Sequence, residues 1–295
     1  MATESIDRCP ICSNTEFEPF LFCTDFTTSH ETFELQKCST CFFVVTTPRP
    51  DAASLLKYYD SARYISHAGK SSVFLDSIYL FARNFTLRWK TKLIKKYISP
   101  VSILDYGCGT GEFLNACLSL GLECSGVEPS EGAMVKAISL TKLNIKASLS
   151  ELEDQEFDVI TLWHVLEHIP NLTEKLVEIT HHLKENGMLF VAVPNYLSYD
   201  ADVYGEYWAG FDVPRHLWHF SKRTMEKLFA NAGLRLKEIQ PMKLDAFYVS
   251  LLSQKYKSGS HTPAGILTAL INGLVSNWKA KNNTNYSSLI YIATR

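Results

Sequence analysis

Residues 103–111 of this 295-residue chain read Ile-Leu-Asp-Tyr-Gly-Cys-Gly-Thr-Gly, a short apolar strand that runs into a glycine turn. Glu128 follows seventeen residues after Gly111, at the end of a second apolar run. Glycine lets the backbone approach a ligand where a side chain would collide. An acid at the end of the next strand can accept hydrogen bonds from both hydroxyls of a ribose. The pattern therefore predicts half of a nucleoside-binding site.

Glu112 narrows the kind of nucleoside, because it occupies the position at which the dinucleotide fingerprint has a further glycine. A helix that opens with glutamate repels a pyrophosphate, since like charges meet at its N-terminus. We therefore expect a nucleoside without a pyrophosphate, and S-adenosylmethionine fits that description. A nicotinamide-dependent oxidoreductase, which shares the strand, glycine turn, helix and acid, is the alternative from another enzyme class.

The order of the later motifs resembles that of class I S-adenosylmethionine-dependent methyltransferases. The resemblance includes the strand entry at 157–160, the segment at 163–168 and the strand at 187–195, in addition to the glycine turn. Strands are predicted near 102–106, 123–128, 144–147, 157–162 and 187–193, with helical stretches between them, and such alternation predicts a parallel sheet covered by helices. The resemblance implies an α/β fold, with a Rossmann-like seven-stranded methyltransferase sheet and helices on both faces.

The resemblance also implies which residues bind S-adenosylmethionine. In this family, Asp105 and the glycine turn would hold the methionine end, and Glu128 would hold the ribose. The segment at Ser148 would contact adenine, and Trp163 would lie against the adenosine or, alternatively, pack in the core. The predicted cofactor-binding residues are Asp105, Tyr106, Gly107, Cys108, Gly109, Gly111, Glu128, Pro129, Ser148, Leu149, Trp163 and His164.

Four histidines near the carboxyl ends of the predicted strands are candidate bases. If the methyl acceptor is a hydroxyl, a base must take its proton, and histidine titrates near neutral pH. Residues 216–221 resemble a segment of deoxysugar C-methyltransferases whose histidine is catalytic, and His216 takes that position. Arg215 and His219 depart from that pattern. The candidate catalytic residues are His216, His219, His168 and His164.

The sequence Leu166-Glu167-His168 supports a second interpretation of the same region. It resembles the segment of ubiquinone-pathway and small-RNA O-methyltransferases in which glutamate and histidine bind a divalent metal. Together with His164 and a later histidine such as His219, these residues could form a comparable site. Such a metal would hold and acidify vicinal hydroxyls. The alternative is a turn that packs or hydrogen-bonds without a metal.

Four of the eight cysteines form two Cys-x-x-Cys pairs near the N-terminus. Each pair can form a turn that directs two thiolates to one point, and two such turns complete a tetrahedral zinc site. Because protein would fill every coordination position, we predict a structural zinc ion, with a redox pair as the alternative. The predicted ligands are Cys9, Cys12, Cys38 and Cys41.

These motifs divide the chain into a zinc-ribbon-like module at 1–50, a helical lid or linker at 51–99 and a methyltransferase domain at 100–295. The last part includes a helical insert at 246–285. A helix is expected over 72–98, with basic residues such as Lys90 on one face. On the other face an apolar stripe recurs at three- and four-residue steps, through Phe74, Ile78, Phe81, Phe85, Trp89, Leu93 and Tyr97. Its basic opposite face is interpreted as solvated or, alternatively, as membrane-facing. Lid or packing roles are expected for four further residues, Tyr58, Tyr59, Tyr64 and His67.

The net charge of −2 and the isoelectric point near 6.5 argue against nucleic acid as a partner. No apolar run reaches the roughly 18 residues that span a bilayer, and the first residues lack the pattern of a secretion signal. We therefore predict a cytoplasmic protein with a small-molecule substrate, no nucleic acid, no stable membrane insertion and a possible homodimer.

Three functions remain open at this point. The leading hypothesis is methyl transfer to a hydroxyl of a sugar, lipid-linked or secondary metabolite. A sugar C-methyltransferase is the first alternative, and a non-catalytic zinc-module scaffold with a methyltransferase fold is the second.

Overall fold

A computed structural model describes residues 2–59, 73–260 and 262–295, with the backbone alone for 73–84. In chain order, the strands are β1 (Thr3–Glu4), β2 (Phe17–Thr24), β3 (Thr32–Cys38), β4 (Val44–Thr46), β5 (Arg49–Pro50), β6 (Ser102–Tyr106), β7 (Glu123–Val127), β8 (Phe157–Trp163), β9 (Leu183–Pro194), β10 (Trp218–His219), β11 (Arg235–Pro241) and β12 (Ser288–Thr294). The α-helices are α1 (Ala52–Leu55), α2 (Val73–Tyr97), α3 (Glu112–Leu118), α4 (Glu131–Thr141), α5 (Leu172–His181), α6 (Tyr199–Tyr204), α7 (Lys222–Asn231), α8 (Asp245–Ser258) and α9 (Pro263–Asn283).

In the described part of the chain, the central sheet has six strands in the order β11-β12-β9-β8-β6-β7. Strands β9, β8, β6 and β7 are parallel, whereas β12 pairs antiparallel with both β9 and β11. A further strand predicted near 144–147 is reduced to an isolated bridge between Val127 and Lys146. The chain leaves α4 at Lys142 and enters a 3-10 turn after Ser148, so little extended backbone remains for pairing. The parallel-dominated α/β architecture confirms the predicted fold class.

Strand β9 shows how the sheet divides the core. Its side chains alternate between the two faces, as the twofold period of a strand requires. Leu189, Val191 and Val193 join the core that includes α5 and α7. Met188, Phe190 and Ala192 join the core beneath α2 and α3. Helices therefore cover both faces, and the ligand-binding edge lies at the carboxyl ends of the parallel strands.

The N-terminal residues share a sheet with a much later part of the chain. That sheet has the order β10-β4-β3-β2, and Trp218 and His219 of β10 pair with Val45 and Val44. The indole of Trp218 donates a hydrogen bond to the Ile169 carbonyl at 2.6 Å. The cysteine-bearing segment is therefore packed against the segment that carries His216 and His219, and Trp218 connects that segment to the turn of His168.

Helix α2 agrees closely with the predicted helix at 72–98, but its outer faces differ from the expected pattern. Phe85, expected in the buried stripe, is 55% exposed. Leu93 and Ile94 are buried and anchor the helix on the sheet. Lys90, expected on the solvated basic face, instead places its ammonium 4.2 Å from the centre of the Trp163 ring. Of the stripe and the predicted lid, the side chains of Phe74, Ile78 and Phe81 and residues Tyr64 and His67 lie outside this description.

Candidate active site and cysteine cluster

The glycine turn and Glu128 meet at the carboxyl ends of β6 and β7. The amide of Gly109 donates a hydrogen bond to Glu128 Oε2 at 2.8 Å, and the amide of Ser130 donates to Oε1 at 2.8 Å. Burial raises the pKa of Glu128, while these two amides favour its charged form. A carboxylate offers about four acceptor positions, so two remain for a ligand.

The backbone of the turn explains why glycine occupies two of its positions. Gly107 has φ +74°, and a β-carbon there would lie 2.6 Å from a methyl group of Val165. Gly109 has φ +55°, and a β-carbon there would meet no heavy atom of the described residues within 4 Å. The first glycine permits close packing, and the second leaves open space above the Glu128 carboxylate.

The predicted adenine-contacting segment runs beside the same edge. The Glu128 amide donates to the Lys146 carbonyl at 2.8 Å, which aligns the chain leading to Ser148 with the end of β7. Leu149 is buried, whereas Pro129 is exposed. The side chains of Tyr106 and Cys108 are largely buried, and burial raises the pKa of Tyr106 to about 12.

Asp105 is buried at the end of β6. The Lys90 ammonium acts on it electrostatically, which the sequence did not predict. Thr161 donates a hydrogen bond to Asp105 Oδ1 at 2.6 Å. Burial raises the pKa of Asp105 to about 7, although this hydrogen bond and the Lys90 ammonium oppose the rise. Burial likewise lowers the pKa of Lys90 to about 8, opposed by Asp105 and Asp245. A buried carboxylate and a half-buried ammonium therefore influence each other electrostatically next to the glycine turn.

Trp163 ends β8 beside this pair. Its ring packs edge-on to Phe113 with centroids 5.4 Å apart, and Lys90 lies over its face. The indole Nε1 is buried without a hydrogen-bond partner among the described residues. Indole N–H groups usually find a partner when they are buried. The contact with Phe113 fits packing of Trp163 in the core, and the unpartnered indole N–H fits contact with a ligand.

His164 follows β8 with φ +57°, in the left-handed region that non-glycine residues rarely adopt. Its Nε2 lies 3.1 Å from Asp245 Oδ2, and its Nδ1 lies 3.4 Å from Glu167 Oε1. Burial opposes protonation, but these two carboxylates raise the pKa of His164 to about 9. His164 is therefore an imidazolium at neutral pH and is poorly suited to accept a proton.

His168 and His216 form a pair whose rings pack edge-on with centroids 4.6 Å apart. The His168 Nδ1 lies 3.0 Å from the Arg215 carbonyl oxygen, and the His216 Nδ1 lies 2.9 Å from the Gly210 carbonyl oxygen. A carbonyl can only accept, so each Nδ1 carries the hydrogen and each neutral ring keeps its lone pair on Nε2. Burial, together with the neighbouring His216, lowers the pKa of His168 to about 4.

Glu167 lies between these histidines with its side chain fully buried. His216 Nε2 is 4.0 Å and His164 Nδ1 is 3.4 Å from its Oε1, but no described residue donates a well-aligned hydrogen bond to either carboxylate oxygen. Burial raises and the nearby histidines lower the pKa of Glu167, and the net shift is downward. One carboxylate oxygen and one ring nitrogen each of His168 and His216 lie within 4.8 Å of one another. This group is rich in acceptors and suits either a proton or a cation.

His219 lies apart from this group. Its Nε2 is 3.0 Å from the hydroxyl of Thr46 in β4, and its ring packs edge-on to Phe211. Burial keeps its pKa well below the usual value. Of the four candidate bases, the structure brings His164, His168 and His216 together around Glu167 and turns His219 toward the N-terminal sheet. Tyr59 does reach the group, since its hydroxyl lies 3.0 Å from His168 Nδ1.

Arg215, the residue before His216, is fully buried between two carboxylates. Its guanidinium lies 2.9 Å from Asp25 Oδ1 and 2.6 Å from Asp212 Oδ1. It also donates to the Tyr58 carbonyl at 3.2 Å. The guanidinium holds the pKa of Asp25 below its usual range, although burial acts in the opposite direction. This network joins the β2–β3 loop to the backbone that orients His168 and His216.

Replacing Arg215 should destabilise the protein strongly. Arg215→Met leaves Asp25 buried without its cation, and breaking a buried pair in this way costs about 3 to 5 kcal/mol of unfolding free energy. Arg235→Met removes an exposed arginine at the start of β11 and should cost less than about 0.5 kcal/mol. Urea unfolding followed by tryptophan fluorescence measures both. Equal stability of the two variants would show that the buried network contributes little.

The four predicted zinc ligands converge at the N-terminus. The Sγ atoms of Cys9 and Cys41 are 3.5 Å apart, as are those of Cys12 and Cys38, and all four lie within 4.8 Å of one another. A tetrahedron with Zn–S bonds of about 2.3 Å places its sulfurs about 3.8 Å apart. Burial raises the pKa of Cys38, but the amides of Cys41 and Thr40 outweigh it and bring the value to about 7. The group has the residues and spacing that a tetrahedral metal ion requires.

The sequence did not predict that Lys90 and Asp245 belong to this site. It also did not predict the buried network around Arg215. Lys90 lies among other basic residues of one helix, and Asp245 begins a helix of the insert. Arg215 differs from the resembling segment, and this departure was the available indication that the residue has its own role. Apart from Asp212, which lies three residues before Arg215, the partners are remote in sequence, so local spacing carries no information about those contacts.

The chain matches the family model for the methyltransferase domain over residues 79–239, more than half of its length. The chain therefore belongs to the methyltransferase-domain family. Its most similar curated relatives include the ubiquinone biosynthesis O-methyltransferase of Rickettsia canadensis. The two are 24% identical over 163 residues, which cover 50% of this chain and 68% of the relative.

Two solved structures show that the fold is shared. A SAM-dependent methyltransferase from Archaeoglobus fulgidus aligns with a TM-score of 0.50 at 22% identity, covering 72% of this chain and 94% of its own. The Haemonchus contortus phosphoethanolamine N-methyltransferase 2, solved with S-adenosyl-L-methionine, aligns with a TM-score of 0.52 at 16% identity. That alignment covers 85% of this chain and 62% of the other. The predicted class I methyltransferase is confirmed in family and fold.

Proposed function

We propose that the protein transfers a methyl group from S-adenosylmethionine to an oxygen of a small-molecule acceptor, with His216 as the base. The observation that carries this proposal is the His216 ring, whose Nδ1 is held by the Gly210 carbonyl and whose Nε2 is 4.0 Å from the Glu167 carboxylate. The named O-methyltransferase relative supports oxygen as the acceptor atom. The sugar C-methyltransferase alternative has less support, because Arg215 replaces the acid of that motif and is engaged in the buried network.

The cofactor assignment rests on the edge formed by β6 and β7. Two acceptor positions of Glu128 remain for the ribose hydroxyls, and the open space at Gly109 leaves room for the ligand. Buried Asp105 offers a carboxylate that a cationic group would stabilise. These features suit the ribose and the ammonium group of S-adenosylmethionine. The other predicted cofactor-binding residues remain proposals on the same basis.

S-adenosylmethionine, when bound, supplies a methyl group on a sulfonium that transfers by in-line displacement. The protein must therefore position the acceptor hydroxyl and remove its proton. In the neutral tautomer, His216 Nε2 accepts that proton. The buried Glu167 carboxylate, 4.0 Å from the same nitrogen, would then stabilise the imidazolium charge electrostatically. His168 stays neutral beside it because its pKa is low.

A second candidate mechanism places a divalent cation in the same group. Its motivation is the buried Glu167 carboxylate, one oxygen of which lies within 4.8 Å of a ring nitrogen of both His168 and His216. Those three residues would hold the ion, which would acidify an acceptor hydroxyl. Methyl transfer that survives chelation with undiminished rate favours His216 acting as a base. Loss on chelation and recovery with added Mg²⁺ or Mn²⁺ favours the cation.

Methylation of a small-molecule extract tests the proposed function. Purified protein is incubated with methyl-labelled S-adenosylmethionine and a protein-free metabolite extract, and label is followed into small molecules. We expect labelled product to form and its label to be stable to the conditions that cleave methyl esters. A protein that binds the cofactor but labels nothing would support the scaffold alternative. Label on carbon would support the sugar C-methyltransferase alternative.

We also propose that Cys9, Cys12, Cys38 and Cys41 hold a structural zinc ion. The convergence of four sulfurs supports one shared metal over two separate redox pairs. The purified protein should contain about one zinc per chain, as measured by atomic emission. Cys9→Ser should lose the metal and lower the melting temperature. Cys124→Ser, which alters a partly buried cysteine outside the cluster, should retain it. Zinc-free protein with unchanged stability would contradict this assignment.

A further inference from the structure

Helix α9 presents large apolar side chains to solvent. Leu267, Ile271, Leu274 and Trp278 recur at steps of four, three and four residues, which places them on one face of the helix. They are 60%, 50%, 60% and 65% exposed, and Leu270 beside them is 39% exposed. Single exposed apolar residues are ordinary, but a contiguous stripe marks an interaction surface. We call these five residues the α9 stripe.

The opposite face of α9 is made of small residues. Its buried residues are Gly265, Ala269, Gly273, Ser276 and Ala280. A β-carbon on Gly273 would lie 2.8 Å from the ring of Phe247 in α8, so the two helices approach closely. A helix that packed its large residues inward would show the reverse arrangement. The small face therefore satisfies the packing with α8, and the large apolar face remains for another partner.

The charge of the insert identifies the kind of partner. Residues 246–285 contain four lysines, Lys255, Lys257, Lys279 and Lys281, and no acidic residue. The insert therefore has a net charge of +4, whereas the whole chain has −2, which leaves −6 on the rest. Lys243 precedes α8, and Lys279 and Lys281 lie near the end of α9. All three are exposed. An apolar stripe flanked by lysines matches a surface of anionic lipid.

We propose that the α9 stripe docks the protein on the surface of an anionic lipid bilayer. A second copy of the chain fits less well, because a symmetric contact would bring two insert faces of charge +4 together. The contact is interfacial, since none of the helices in the described ranges is both long and apolar enough for a span. This proposal is independent of the proposed methyl transfer.

The insert that carries the stripe also reaches the candidate active site. Leu244 is 42% exposed at the start of α8, and the next residue, Asp245, lies 3.1 Å from His164. Tyr248, one turn further along α8, is 43% exposed. The insert therefore exposes apolar side chains next to the residue that contacts His164.

Vesicle sedimentation of the full chain tests the proposal. We expect the protein to sediment with vesicles of phosphatidylcholine and phosphatidylglycerol in a two-to-one ratio. Binding to vesicles of phosphatidylcholine alone should be weaker by about tenfold. Ile271→Ser/Leu274→Ser should weaken binding to the anionic vesicles by about tenfold or more. Val135→Ser/Ile138→Ser, a matched pair of exposed residues on α4, should bind as the parent does.

Charge variants and the oligomeric state complete the test. Lys243→Glu/Lys281→Glu should weaken anionic-vesicle binding by about tenfold, whereas the exposed control pair Lys57→Glu/Lys136→Glu should have little effect. No sedimentation with either vesicle, or equal loss in the control pairs, would overturn the proposal. A lipid-free dimer that dissociates in the Ile271→Ser/Leu274→Ser variant would overturn it as well and assign the stripe to a second copy.

Discussion

Glu128→Ala should weaken S-adenosylmethionine binding by about a hundredfold. The carboxylate would accept hydrogen bonds from both ribose hydroxyls, and hydrogen bonds to a charged group contribute about 1.5 to 3 kcal/mol each. Its two remaining acceptor positions lie at an edge already ordered by the amides of Gly109 and Ser130. Isothermal titration calorimetry of the purified variant and parent gives the ratio of dissociation constants directly.

The controls for this experiment separate recognition from charge. Glu131→Ala removes an exposed carboxylate three residues away, at the start of α4, and should bind the cofactor as the parent does. Glu128→Gln retains one acceptor oxygen and should bind more tightly than Glu128→Ala. If Glu131→Ala weakens binding as much as Glu128→Ala, general electrostatics explain the loss and the ribose assignment is wrong.

His216→Gln should lower the rate of methyl transfer by about 10²- to 10⁴-fold, the usual contribution of a general base. Glutamine preserves a polar side chain but cannot take a proton from a hydroxyl near neutral pH. Cofactor binding should change little, because the contacts assigned to the cofactor lie at β6 and β7. Single-turnover transfer of labelled methyl, measured at saturating cofactor, isolates the chemical step.

Two further variants give this prediction its controls. His181→Gln alters an exposed histidine at the end of α5 and should leave the rate unchanged. His219→Gln alters the buried histidine that contacts Thr46, so it should affect stability more than the rate at saturating cofactor. A His216→Gln enzyme with the parent's rate would eliminate His216 as the base and also as a ligand of the alternative divalent cation.

The fold was largely predictable because its determinants are local and periodic. The strand and glycine turn at 103–111, the capped helix after Ser221 and the alternation of strands with helices each leave a pattern in neighbouring residues. The predicted strand at 144–147 was wrong in extent, since extended propensity does not ensure a partner for every residue. The pairing of β10 with β4 was not foreseen, because a two-residue strand has too few residues to show a period.

The site was predictable in its motifs but not in its contacts. His164, His168 and His216 lay in recognisable segments, but their roles depend on which carbonyl or carboxylate each ring nitrogen meets. His164 becomes a cation because Asp245, 81 residues later, lies beside it. Arg215 lies buried because Asp25, 190 residues earlier, reaches it. Such partners meet only after the chain has folded, so spacing alone could not assign one base among four histidines.

A crystal structure with S-adenosylhomocysteine bound tests the central claim most directly. We predict that both ribose hydroxyls lie within hydrogen-bonding distance of the Glu128 carboxylate. The sulfur should face the group formed by Glu167, His168 and His216, so that a transferred methyl would point toward His216 Nε2. A nucleoside bound away from Glu128, or a sulfur directed away from that group, would contradict the account.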